Sequence, residues 1–232
     1  MSREIVYTDN FVKSASDRIL QIMNTTLVES SFFVLSLCGG STPFPVYKEI
    51  AKRGSIIPWE RVIITFGDER CVPPTHEQSN FRAAKANFFD YIPIPESNIL
   101  RIKGELDPPV AADDYEHQLD EVAARIGMSD IMHDLMLLGM GDDGHTASLF
   151  PDSHALQVSD RRVSANYVAK LNSYRITLTY PFINKSRTIM FLVNDAKKKQ
   201  VINDVLDGKG NYPSSRIKPL DGTLIWTIGG LL

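Results

Sequence analysis

Five short apolar runs limit what this chain can fold into: FFVLSL (32–37), RVIITF (61–66), DLMLLG (134–139), TIMFLV (188–193) and TLIWTI (223–228). Each has strand length, and none alternates polar with apolar residues as a half-solvated strand does. Runs of this kind read as strands covered on both faces, the setting of a parallel sheet. Parallel neighbours need long crossovers, and the segments between the runs carry helical patterns. IVYT (5–8) adds a short strand, and Asn10 is placed to cap a helix with Phe11, Ala15, Ile19, Ile22 and Met23 on one face. Further helices are expected from Pro43 to Arg53, from Asn80 to Phe89, over 111–126 with Gly127 closing it, and from Ala196 to Leu206. RRVSANYVA (161–169) and RITLTY (175–180) read as extended. The alternation predicts an α/β fold with a mostly parallel sheet. No repeat, low-complexity tract or linker interrupts it, so residues 1–232 read as one domain.

Composition removes several function classes. With 43% hydrophobic residues, 232 residues can bury one sizeable core. A net charge of -3 without a basic stripe argues against a nucleic-acid partner. The two cysteines, Cys38 and Cys71, form no CxxC pair, which argues against a disulfide framework or a thiolate zinc site. The remaining histidines (His76, His117, His133, His154) show no ligand spacing, so no metal is expected. No run of about 18 apolar residues occurs, and MSREIVYTDN lacks a signal core, so a cytoplasmic protein without a membrane span is expected.

In open α/β sheets, ligands lie beyond the carboxyl ends of the strands. Three of those ends carry unusual chemistry. After DLMLL, Gly139-Met140-Gly141-Asp142-Asp143-Gly144 matches G-x-G-x-x-G, but Pro151 leaves barely two turns for the helix that a dinucleotide fingerprint requires. Two aspartates in the loop would also face the pyrophosphate, at about 1 kcal/mol per close like-charge pair even in water. The other reading is a carboxylate–imidazole pair, Asp143 and His145, with Gly144 permitting the turn. Set against it is the reading of Asp143 as a cap for the short helix and His145 as a surface residue. After FFVLSL, Gly39-Gly40-Ser41-Thr42-Pro43 offers main-chain amides, two hydroxyls and a helix start, which suits a phosphate but is not a P-loop. It would equally serve as an ordinary strand-to-helix turn. After RVIITF, Gly67-Asp68-Glu69-Arg70 places an arginine that can pin an anion, with Asp68 and Glu69 to orient it, or else a solvated charged turn. Arg175 and Lys198 each read alone as a surface cation; together with the glycine loop they can close around a phosphate.

The stretches CGGSTPFPVY, TFGDERCVPPTHEQSN, LLGMGDDGHTASLFP and RITLTYPFIN, in that order, resemble the motif set of the 6-phosphogluconolactonases, within the glucosamine/galactosamine-6-phosphate isomerase superfamily. Cys38 departs from the pattern, since the family usually has serine there, and it is expected to alter packing more than chemistry. The resemblance implies a Rossmann-like three-layer α/β/α sandwich without a nucleotide cofactor. It implies hydrolysis of 6-phosphoglucono-1,5-lactone, the second step of the oxidative pentose phosphate pathway. By motif position it implies His145, Asp143 and Arg70 as catalytic residues. It puts Gly40, Ser41, Thr42, Asp68, Arg175 and Lys198 on the substrate side, with Lys197 and Lys199 one residue away from that last assignment. The expected partner is a small sugar-phosphate lactone, met by a monomer or small homo-oligomer. An isomerase of the same superfamily usually follows its DGH with an acidic residue, whereas TASLFP contains none. A sugar-phosphate sensor would bring a DNA-binding module, for which the start of this chain leaves no expected room.

Overall fold

The computed structural model describes residues 2–230. Among the described residues, nine strands and six α-helices follow in the order β1 (Ser2–Tyr7), α1 (Phe11–Glu29), β2 (Phe33–Leu37), α2 (Phe44–Arg53), β3 (Val62–Phe66), β4 (Asp68–Arg70), α3 (Asn80–Asn87), α4 (Pro108–Arg125), β5 (Leu135–Leu138), β6 (Val163–Val168), β7 (Ser173–Leu178), α5 (Tyr180–Asn184), β8 (Thr188–Asn194), α6 (Lys199–Leu206) and β9 (Thr223–Gly229). The main sheet has six strands in the order β1-β9-β8-β5-β2-β3, every pair parallel. Each residue of β2, β3 and β5 is buried, so both faces of the sheet are covered there, as their unbroken apolar sequences predict.

The helices begin where the sequence supplies start signals. Asn10 accepts a hydrogen bond from the Lys13 amide at the start of α1, a cap worth about 1 kcal/mol. That helix buries Ala15, Ile19 and Met23 completely, at roughly 1.5–3 kcal/mol for each of the two larger side chains. Pro108 and Pro109 allow α4 to start three residues before the expected 111, because neither position needs an amide donor. Gly127, at φ +75°, then ends it, with Met128 N–H donating to Ala123 O at 2.8 Å. The last helix is shorter than expected, because residues 196–198 form a 3-10 turn before α6.

A second sheet, β4-β7-β6, is antiparallel throughout. The mostly parallel expectation holds for the main sheet only. RRVSANYVA and RITLTY form the hairpin β6–β7, and DER, read from the sequence as part of the loop after β3, is the third strand of this sheet. Gly67 joins the sheets: its amide donates to Leu37 O of β2 at 3.0 Å, and its carbonyl accepts from Leu178 N of β7 at 2.9 Å. One apolar cluster extends from Phe11 in α1 to Ile228 in β9. Among the described residues, no helix is long and apolar enough to cross a membrane.

Candidate active site

The order of the main sheet reverses between β2 and β5. From β2 the chain moves outward to β3, then returns to lay β5, β8 and β9 on the other side. The chain therefore leaves the carboxyl ends of β2 and β5 toward opposite sides, and this is where open α/β sheets make a crevice. A cavity of about 280 Å³ lies there, walled by 38–43 after β2, Asp68 and Arg70 of β4, 139–141 and 145–147 after β5, Leu192 of β8, and Lys198.

The β5 loop does not lead into a helix. Gly141 N–H donates to His145 O at 2.9 Å and Gly144 N–H to Gly141 O at 3.0 Å, so residues 141–145 close as a tight turn. The fingerprint reading therefore fails on its second requirement, a helix N-terminus for the pyrophosphate. Gly144 takes φ +71°, and a Cβ on Gly141 would lie 2.1 Å from His145 Cε1. Both glycines are needed to lay the imidazole against the chain. Asp143 Oδ1 is 2.5 Å from His145 Nδ1 and also accepts the His145 amide at 3.2 Å. In the neutral ring, donation of Nδ1–H to the carboxylate leaves the lone pair on Nε2. Phe150 stacks on the ring, centroid to centroid 3.9 Å at 19°.

Burial alone would raise the Asp143 carboxyl. Hydrogen bonds from Lys170, at 2.9 Å on Oδ2, and from His145 outweigh it and hold the group down at about 2. Lys170 was not anticipated: it stands 27 residues away, and no pattern near Asp143 points to it.

The rest of TASLFP supports the loop. Thr146 Oγ1 donates to Gly139 O at 2.8 Å, Ser148 Oγ to Asp68 Oδ2 at 2.5 Å, and Ala147 sits at φ +46°. A non-glycine residue there costs on the order of 1–3 kcal/mol and persists only when neighbours fix it. Asp68, buried and also bonded by Asn80 Nδ2 at 3.1 Å, is the one carboxylate on the cavity wall among the described residues. Asn80 also sets the glycine turn: a Cβ on Gly39 would fall 1.9 Å from its Oδ1. Gly40, at φ +93°, completes that turn, bringing Ser41 and Thr42 to the cavity.

Cys38 lines the cavity as a packing group. Its main chain is held by Tyr47, whose hydroxyl donates to Cys38 O at 2.8 Å and accepts from Cys38 N at 3.1 Å. Burial pushes its thiol up to about 12, which leaves no thiolate for chemistry.

Glu69 does not orient the Arg70 guanidinium, contrary to expectation. It turns to the start of α3, accepting from the amides of Asn80 (2.8 Å) and Phe81 (2.9 Å) and from Ser79 Oγ (3.0 Å). A buried carboxylate there offsets its desolvation with exposed helix-start amides. No hydrogen bond or ion pair joins Asp68 to that guanidinium either; Arg70 Nη1 donates instead to Gln78 O at 2.6 Å. Arg175 is the direct cross-strand partner of Arg70, but it is not on the cavity wall. Its guanidinium folds along β7, donating to Ser173 Oγ at 2.8 Å and Tyr174 O at 3.0 Å. Burial and the charge of Arg70 both lower its basicity. Neither arginine has a carboxylate within ion-pair distance among the described residues, although like charges directly opposite each other destabilise a sheet. Of the three consecutive lysines, Lys198 alone lines the cavity, with Nζ 2.6 Å from Met140 O and 3.8 Å from Asp142 Oδ1. Among the described residues there is no group of three or more His, Cys, Asp or Glu placed to hold a metal.

A parallel sheet with a cavity at its strand-order reversal, lined by His145 and by the β2 glycine turn, defines an open α/β protein with a polar crevice at the carboxyl ends of its strands. The family model described as glucosamine-6-phosphate isomerases/6-phosphogluconolactonase matches residues 7–226, and the chain belongs to that family. It is 38% identical over 216 residues to a 6-phosphogluconolactonase of Nostoc sp. (strain PCC 7120), covering 91% of this chain and 88% of that one. It is 34% identical to a 6-phosphogluconolactonase of Homo sapiens, over 84% of this chain and 77% of the human one. Among solved structures, 6-phosphogluconolactonase from Thermotoga maritima superposes with a TM-score of 0.86 at 28% identity, covering 98% of this chain and 100% of that chain. A monomeric glucosamine-6-phosphate deaminase shares the fold, with a TM-score of 0.80 at 18% identity.

Proposed function

We propose that this chain, acting as one unit, hydrolyses 6-phosphoglucono-1,5-lactone to 6-phosphogluconate in the cytoplasm, the second step of the oxidative pentose phosphate pathway. The observation that carries the reading is the Asp143–His145 pair, with His145 on the same 280 Å³ cavity as the β2 glycine turn, Arg70 and Lys198. The substrate is a cyclic ester with a phosphate tail, so it needs a base at one end and an anion cradle at the other.

Water attacks the lactone carbonyl while His145 Nε2 takes its proton, and Asp143 stabilises the imidazolium that forms. The new C–O bond gives a tetrahedral oxyanion, which Arg70 and loop amides stabilise. As the intermediate collapses, the ring C–O bond breaks, and the proton on Nε2 passes to the departing ring oxygen. The sugar hydroxyl and the carboxylic acid appear together, and the acid then ionises in water. Gly40, Ser41, Thr42 and Lys198 grip the phosphate. Arg175, behind Arg70, adds uncompensated positive charge on the same sheet face. This grip positions the carbonyl. Asp68, already bonded by Ser148 and Asn80, faces the sugar hydroxyls. TASLFP places no carboxylate on the cavity, which disfavours the ring-opening chemistry of an amino-sugar phosphate isomerase.

The test is lactone freshly generated by glucose-6-phosphate dehydrogenase, followed with and without this protein. Loss faster than the spontaneous rate is expected. Loss at the spontaneous rate, with ammonia released from glucosamine 6-phosphate, would replace this reading.

A further inference from the structure

Asp143 is held from two directions. Oδ1 faces the imidazole and amide of His145, while the hydrogen-bond partner of Oδ2 among the described residues is the ammonium of Lys170 at 2.9 Å. Lys170 comes from a different part of the fold, the tip of the β6–β7 hairpin. That tip is well defined: residues 169–171 form a 3-10 turn, Asn172 follows in the left-handed region at φ 45°, and Tyr167 Oη donates to Asn172 Oδ1 at 2.5 Å. The rings of Tyr167 and Tyr174, a cross-strand pair, lie 5.2 Å apart and close the base of the turn. The same three-stranded sheet carries Arg175 and, on β4, Arg70.

We propose that Lys170 is a positioning residue for the Asp143–His145 pair: it takes one carboxylate oxygen, leaves the other to the imidazole, and offsets part of the carboxylate charge that the imidazole faces. In its catalytic consequence the inference rests on the lactonase reading; in its electrostatic consequence it does not. The carboxylate would remain in place without Lys170, because the His145 amide also holds Oδ1. Removing the lysine therefore changes charge more than geometry. The other charged groups facing the pair are Asp142 on the same loop, Lys198 from the turn before α6, 3.8 Å from Asp142, and Asp68 and Arg70 across the cavity. Lys198 is engaged by Asp142 and by Met140 O, and Asp68 by Ser148 and Asn80. Lys170 is the cation in direct contact with Asp143.

The experiment follows the His145 ring by NMR across pH in the full chain, without substrate, for the parent protein, Lys170→Gln and Lys170→Arg, beside the pH profile of kcat/KM for the lactone. Lys170 is exposed, so neither substitution removes a core contact. Loss of a nearby cation favours protonation of the imidazole. The Lys170→Gln midpoint should rise by about half a pH unit, a modest shift because the ammonium is solvated. The acidic limb of kcat/KM should follow it, a loss of about threefold on that limb with the alkaline plateau kept. Lys170→Arg should restore both. An unchanged or lowered midpoint in Lys170→Gln overturns the proposal. A raised midpoint in a protein that does not consume lactone sustains it and removes the lactonase reading instead.

Discussion

At the scale of single residues, the site depends as much on missing side chains as on present ones. His145 can lie where it does because Gly141 has no Cβ; an added methyl group would fall 2.1 Å from the ring carbon Cε1. Gly141→Ala should displace the imidazole and lower kcat at least tenfold, since sub-ångström errors in a base's position are costly. Its thermal unfolding should change little, and kinetics and a melting curve on one preparation would check both; unchanged kcat contradicts the packing described. Much of this was legible in the sequence, because Asp-Gly-His is local and its geometry depends on neighbours in the chain. The roles of Glu69 and Lys170 were not. Glu69 looked like a partner for Arg70 beside it, but the unsatisfied amides of α3, 11 residues on, hold it instead. Lys170 is an ordinary surface lysine until the hairpin brings it to Asp143.

At the scale of elements, the strands buried on both faces were readable because burial is written into an unbroken apolar run. β4 was not, since Asp68, Glu69 and Arg70 are polar and pair only with β7, more than 100 residues later. The turn between α4 and β5 has a further consequence. His133 is completely buried, with Nε2 2.9 Å from Thr65 Oγ1 of β3, no partner on Nδ1, and Phe182 of α5 edge-on at 5.1 Å. Burial lowers it from 6.5 to about 3. Between those values the unfolded chain binds a proton that the folded one refuses, so stability is full above pH 6.5 and falls as pH drops toward 3. The slope from this one group approaches about 1.4 kcal/mol per pH unit. Urea unfolding at pH 4.5, 5.5 and 6.5 should show a shallower pH dependence in His133→Gln than in the parent protein. Identical slopes would contradict this account of His133.

At the scale of the whole molecule, two sheets divide the work. The parallel sheet opens a crevice where its strand order reverses and supplies the glycine turn and the Asp143–His145 loop. The small antiparallel sheet delivers Arg70 to that crevice, sets Arg175 behind it, and brings Lys170 from its hairpin tip to Asp143, with Gly67 as the seam. The alternation of elements foretold the first sheet; of the second, the two hairpin strands read as extended, but the pairing of β4 with β7 is long-range and no local pattern encodes it. Nor does sequence spacing show that Arg175 stands behind Arg70, off the cavity wall. In the proposed reaction, the imidazole of His145 takes a proton from water beside a lactone held by this cradle. The most direct test is kcat of His145→Ala on freshly generated lactone, corrected for spontaneous ring opening. A fall of roughly 10²–10⁴-fold is expected, the usual worth of positioned proton transfer. Turnover equal to that of the parent protein would contradict it.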